Sequence, residues 1–138
     1  MGSDHANILH ESVTGARVSL IADMDAPKAA ALAASVGADS TDDGFALITS
    51  DSVDAVIVAS ADVTHHDLVL ACIKAGKPVL SEKPLAVNSA EARDIVLAEE
   101  AAAGEGGLVS VGFMRRFDPT CVELHDAVVE KPYGPALL

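Results

Sequence analysis

The chain has 138 residues, half of them hydrophobic but only 3% aromatic, which leaves room for about one domain with a core of Val, Leu, Ile and Ala. Nine basic residues against 21 acidic ones give a formal charge of −12, a field that repels phosphate backbones and anionic membranes and argues against nucleic-acid and membrane partners. No apolar run reaches the roughly 18 to 20 residues of a membrane span, and Met1-Gly2-Ser3-Asp4-His5 lacks the basic and apolar regions of a secretory signal, so the reading is a cytoplasmic protein.

In chain order, Ala6, Ile8 and Leu9 give a helical pattern over about Ser3 to Glu11, ending before Thr14-Gly15. Arg17 to Ala22 reads as a strand closed by Asp23-Met24-Asp25. Asp25 is placed to cap a helix from Ala26 to Val36, with Pro27 in its first turn and Gly37 at its end. Ala38 to Thr41 suits a short edge strand, and Asp42 and Asp43 suit the start of a brief helix through Ile48. Val53 to Ala59 is the most apolar strand. Ser60 to Thr64 forms a turn, and His65 to Ala75 carries Leu68, Val69, Cys72 and Ile73 at helical spacing up to Gly76.

Val79 and Leu80 then form a short apolar run between Gly76-Lys77-Pro78 and Glu82-Lys83-Pro84, a strand with a lysine just past its carboxyl end. Asn88-Ser89-Ala90-Glu91 resembles a capping box opening a helix to about Ala103, followed by a Gly104-Glu105-Gly106-Gly107 turn. Leu108 to Phe113 is the last strand and leads into Met114-Arg115-Arg116-Phe117-Asp118. A helix runs from Asp118-Pro119 to about Glu130, where Pro132-Tyr133-Gly134-Pro135 breaks it. Strands alternating with helices imply parallel strands joined by right-handed crossovers, a doubly wound α/β sheet. Cys72 and Cys121 lie in apolar segments without Cys-x-x-Cys spacing and read as free, reduced thiols. Ligands of such sheets bind beyond the carboxyl ends of the strands, so Lys83 either faces a ligand or is a solvated lysine closing a strand.

Glu82-Lys83-Pro84-Leu85-Ala86, with Val111-Gly112-Phe113-Met114-Arg115-Arg116-Phe117-Asp118, resembles the Gfo/Idh/MocA family of nicotinamide-dependent dehydrogenases, and within it the inositol branch. The resemblance implies a Rossmann-type doubly wound parallel sheet lacking its first strand, because the family opens with a strand and a Gly-x-Gly-x-x-Gly turn whose third glycine corresponds to Gly2. It further implies a dinucleotide-binding domain over residues 1–118. Residues 119–138 are then a connecting helix and only the beginning of a second α/β domain, truncated here. The expected cofactor is NAD, the expected substrate a polyol such as myo-inositol, and the full-length protein is expected to be a homo-oligomer.

The same resemblance makes Lys83 the catalytic donor to the reacting hydroxyl. It puts the histidine general base and its aspartate beyond Leu138. Candidate cofactor contacts are Gly2, Asp23, Ser60, Thr64, His65, Glu82, Lys83, Pro84 and Arg115. Asp23 stands 21 positions after Gly2, near the roughly 20-residue spacing of a ribose-binding acid. No Arg or Lys follows it in Met24-Asp25-Ala26, which favours NAD over NADP; otherwise Asp23 is a helix-capping aspartate. His65-His66-Asp67 reads as the first turn of a helix rather than a metal site, since adjacent histidines point to different faces. Arg115 meets either a polyol hydroxyl, a cofactor phosphate or an inter-domain carboxylate, or makes an ordinary salt bridge. The other reading of the whole chain is a non-catalytic fragment or interaction module unable to bind NAD by itself.

Overall fold

The computed structural model describes residues 1–102 and 106–129. Its elements alternate as expected: α1 (Gly2–Ser12), β1 (Leu20–Ala22), α2 (Ala26–Val36), β2 (Asp39–Thr41), α3 (Gly44–Thr49), β3 (Val56–Val58), α4 (Asp62–Lys74), β4 (Val79–Ser81), α5 (Ser89–Ala102), β5 (Val109–Val111), a 3₁₀ turn (Met114–Arg116) and α6 (Pro119–Val129). Among the described residues no helix is long and apolar enough to cross a membrane. Two positions expected in the glycine-rich turn, Gly104 and Glu105, and the Pro132-Tyr133-Gly134-Pro135 break lie outside the described residues.

Local chemistry explains most boundaries. Asp25 caps α2, its Oδ1 accepting from the Lys28 N–H at 3.1 Å, and Gly37 ends the helix at φ 70°, a left-handed conformation that a glycine adopts without Cβ strain. Asp43 caps α3 by accepting from the amides of Phe45 and Ala46. The box before α5 forms as well: Asn88 Oδ1 accepts from the Glu91 N–H at 3.0 Å while Glu91 takes the Asn88 side-chain amide at 2.8 Å. Lys77 in the Gly-Lys-Pro turn donates Nζ–H at 2.6 Å to the Ser50 carbonyl, which also takes the Val53 N–H at 3.2 Å just past α3.

All strand pairings are parallel, and they fall into two sheets. β1 pairs with β2, Leu20 opposite Asp39. β3, β4 and β5 form the other, with Val56 opposite Val79 and Val79 opposite Val109. Among the described residues no strand joins β1 to β3. Alternate residues of a parallel strand bond the same neighbour. The Ser19 carbonyl and Asp23 N–H both bond β2, and Val56 N–H and the Val58 carbonyl both bond the β4 side. The backbone groups of Leu20 and Ala22, and of Ile57, therefore point away from their partners. A cleft of about 740 Å³ lies there, bounded by Leu9, Ser19, Ile57 and Leu80 among others.

The main core covers one face of the three-stranded sheet. Val56, Val58 and Val79 pack with Val69, Cys72 and Ile73 of α4, Ile48 of α3 and Ile95 of α5, each such side chain contributing roughly 1.5–3 kcal/mol on burial. The composition suggests strands buried on both faces. The structure shows alternation instead: in β3 and β4 the outer residues are buried while the middle ones, Ile57 and Leu80, are partly exposed, because they face the cleft rather than α4 and α5. Cys72 is fully buried and its burial raises the thiol to about 11, so it is a core side chain and not a nucleophile.

Candidate functional site

The carboxyl ends of β1, β3, β4 and β5 carry nearly every residue singled out from the sequence. α1 starts at Gly2 with no side-chain cap, leaving its first amides available. A Cβ on Gly2 would stand 3.7 Å from that of Ala59, so α1 begins directly against the residue after β3. That close helix–strand approach is the service a third glycine gives in a dinucleotide fold.

Glu82, the first residue past β4, is turned inward. His5 Nε2–H donates to its Oε1 at 2.7 Å, and its side chain is only 13% exposed. Its carboxyl is held below the ordinary value of 4.5, first by the hydrogen bond from His5, and also by the Lys83 N–H, against a burial that raises it. A Cβ on Gly112, past β5, would lie 3.3 Å from Glu82 Oε2, so the glycine of the Gly-Phe-Met run makes room for this carboxylate. Nothing local in the sequence signals a pair 77 positions apart.

Lys83 and Pro84 follow and are exposed, joined by a cis peptide bond. With Leu85, Val111 and Phe113 they line an open groove of about 730 Å³ beyond β4 and β5. Among the described residues the lysine is the one charged side chain in an otherwise apolar lining.

At the end of β3, Ser60 Oγ and Thr64 Oγ1 hydrogen-bond each other at 2.6 Å, and Thr64 also donates to the Ala61 carbonyl. The turn expected over Ser60 to Thr64 is shorter, because α4 already starts at Asp62 and takes in Thr64 and His65. His65 lies in that first turn of α4. It is 1% exposed, with Nδ1 2.6 Å from the Pro84 carbonyl and Nε2 3.2 Å from that of Ser60, so it faces the interior. His66 pairs with its neighbour Asp67.

Asp23 stands one residue past β1. It is not the cap of α2; its carboxylate accepts from the Asp25 N–H at 3.0 Å and from Lys28 Nζ. Those bonds, Lys28 first, hold its carboxyl below the ordinary range. The reading of Met24-Asp25-Ala26 overlooked Lys28 because it is five positions on, yet the first turn of α2 folds it back onto Asp23. Arg115 lies in the 3₁₀ turn rather than at a strand end, since β5 stops at Val111. Its side chain is 77% exposed and pairs with Asp118 at 3.2 Å, the ordinary salt bridge, while Asp118 also caps α6 through Thr120 and Cys121.

A parallel α/β fold with an uncapped helix N-terminus, an acid past β1 and a lysine past β4 defines a dinucleotide-binding domain of Rossmann type. The family of oxidoreductases with an NAD-binding Rossmann fold, Gfo/Idh/MocA, matches residues 1–113, and the chain belongs to that family. It is 48% identical over 138 residues to inositol 2-dehydrogenase of Rubrobacter xylanophilus, covering all of this chain and 39% of that protein. It is likewise 48% identical to inositol 2-dehydrogenase 2 of Saccharopolyspora erythraea, covering 40% of it. The chain thus spans about two fifths of the length of the curated relatives it matches. Among solved structures, myo-inositol dehydrogenase from Lactobacillus casei in complex with NAD(H) and myo-inositol superposes with a TM-score of 0.89 at 31% identity, over 97% of this chain and 40% of that one. A probable dehydrogenase from Thermotoga maritima gives 0.85 at 33% identity, over 96% and 39%.

The Glu82–His5 pair yields a pH test. Because the folded-state carboxyl titrates below its unfolded value, its stabilisation is complete above about 4.5 and is lost as pH falls through the lower folded value. Glu82→Gln is expected to cost about 1–2 kcal/mol at pH 7, the excess of a hydrogen bond to a charged group over one to a neutral acceptor. Urea midpoints of the two proteins should converge on acidification toward pH 3; a constant gap across that range would mean the carboxylate charge contributes nothing.

Proposed function

We propose that this chain is the NAD-binding part of a dehydrogenase that oxidises a secondary alcohol of a polyol such as myo-inositol, with residues 1–118 as the dinucleotide domain and residues 119–138 leading toward a substrate domain. The observation that carries the reading is Lys83, an exposed ammonium in an otherwise apolar groove at the carboxyl ends of β4 and β5. The residues present fit the cofactor: the uncapped amides of α1 suit a pyrophosphate, and the Asp23 carboxylate suits ribose hydroxyls. When bound, NAD supplies the hydride acceptor.

In this reading Lys83 donates a hydrogen bond to the reacting hydroxyl oxygen and stabilises the negative charge that grows as its proton leaves. The proton passes to a base in the substrate domain. Glu82 bonds the Val58 carbonyl through its N–H and anchors the segment to α1 through His5, so the ammonium is presented from a fixed backbone. Gly2, Ser60, Thr64 and Pro84 border the dinucleotide, and Glu82 acts from beneath it.

Lys83→Ala in the full-length dehydrogenase is expected to lower kcat about a hundredfold or more while changing NAD affinity little, because the lost interaction strengthens only in the transition state. Steady-state kinetics beside an NAD titration checks this; near wild-type turnover would return Lys83 to a solvated strand end. Lys28 bears on cofactor choice. With Asp23→Asn the carboxylate that repels a 2′-phosphate is gone and the Lys28 ammonium is freed to meet one, so the NADP-to-NAD ratio of kcat/KM should rise severalfold. An unchanged ratio would remove Asp23 from the adenosine site.

The separation of the β1–β2 sheet from β3–β4–β5 favours the second reading, in which the 138-residue chain alone does not hold the dinucleotide. Calorimetric titration with NADH decides: no saturable heat at micromolar concentrations supports it, and tight binding overturns it.

A further inference from the structure

Two backbone carbonyls meet on one buried ring. The Ser60 carbonyl belongs to the turn after β3, the Pro84 carbonyl to the segment after β4, and His65, from the first turn of α4, lies between them with Nε2 3.2 Å from the first and Nδ1 2.6 Å from the second. The ring is 1% exposed, so it neither reaches solvent nor contacts anything in the groove. A neutral imidazole carries one ring proton. Both neighbours are acceptors, and the contact at Nδ1 is the shorter of the two.

We propose that His65 is a positioning residue: its Nδ1–H, donated to the Pro84 carbonyl, ties the segment after β4 to α4 and to the turn after β3, and so fixes where Lys83 stands. Among the described residues, apart from the ladder, whose last bond is Glu82 N–H to the Val58 carbonyl at 2.9 Å, this is the bond that joins the two segments at the mouth of the groove. Lys83 is flanked on its amino side by Glu82, whose N–H bonds the Val58 carbonyl and whose carboxylate takes His5, and on its carboxyl side by His65 acting on Pro84. An unpaired carbonyl left in that interior would be costly, since a buried acceptor loses its water without replacement. The tie stands on geometry; its consequence for turnover rests on the reading of Lys83 given above.

The test uses the 138-residue chain labelled with ¹⁵N-histidine. Nuclear magnetic resonance should show the His65 Nδ1 protonated; an Nδ1 without a proton overturns the proposal. Two variants then separate positioning from mere space filling. The amide nitrogen of Asn sits at the same branch position as Nδ1, and that of Gln at the position of Nε2. His65→Gln is expected to speed hydrogen exchange of the Glu82 and Lys83 amides about tenfold, and His65→Asn by no more than about twofold, with the α2 amide of Ala33 unchanged in both. Equal acceleration at all three amides, or by both variants alike, overturns the positioning role. Should either variant fail to fold, the tautomer of the wild-type ring decides. None of these readouts involves turnover, so an inert Lys83 would leave the tie between the segments standing, and a bare Nδ1 would leave the dehydrogenase reading standing.

Discussion

Two sheets that share no hydrogen bond need another means of staying in one body, and the Glu82 carboxylate is central to it. It accepts from His5 of α1, and it fills the space that Gly112 leaves beside β5. One largely enclosed acceptor at the end of β4 thereby touches the first helix and the end of β5. Other links between the halves are Gly2 against Ala59, α3 packed against β1, β2 and α4, and Lys77 Nζ on the Ser50 carbonyl at the end of α3. Apolar contact alone sets distance loosely, whereas a charged hydrogen bond also sets direction. The placement of α1 over the strand ends, and with it the first amides that suit a pyrophosphate, depends on that direction.

The same carboxylate explains why the crevice side chains divide so clearly. Residues that point outward, Lys83 and Pro84, flank the groove, while their neighbours Glu82 and His65 point inward and are spent on holding the backbone. A Glu-Lys-Pro sequence is thus a division of labour over three positions. The glutamate anchors, the lysine is presented, and the proline offers its carbonyl to a ring beneath.

The order of elements was legible because each has a local cause. α2 has the bounds its sequence announces, since Asp25, Pro27 and Gly37 act within one turn of its ends. Strands proved shorter than their apolar runs: Val53 is buried in a turn rather than in a ladder, because burial and pairing are separate requirements. In the site, Lys83 and Asp23 could be located by their spacing from strand ends. What the residues near Asp23 did not show was Lys28, brought back by helix geometry, and the inward turn of His65 depends on a carbonyl 19 positions away. Pairings across such distances follow from the packing of whole elements and leave no local pattern.

The open edges beside the cleft have a colloidal consequence. Leu20, Ala22 and Ile57 present backbone donors and acceptors to a space that any extended segment of another copy could pair with. What stands against such pairing is the charge of −12, which makes copies repel over roughly the 8 Å that screening allows at 0.15 M salt. The repulsion weakens as salt is added or as carboxylates take up protons, while the hydrogen-bonding appetite of the edges does not. Added salt and acid therefore remove the protection that the charge gives these edges.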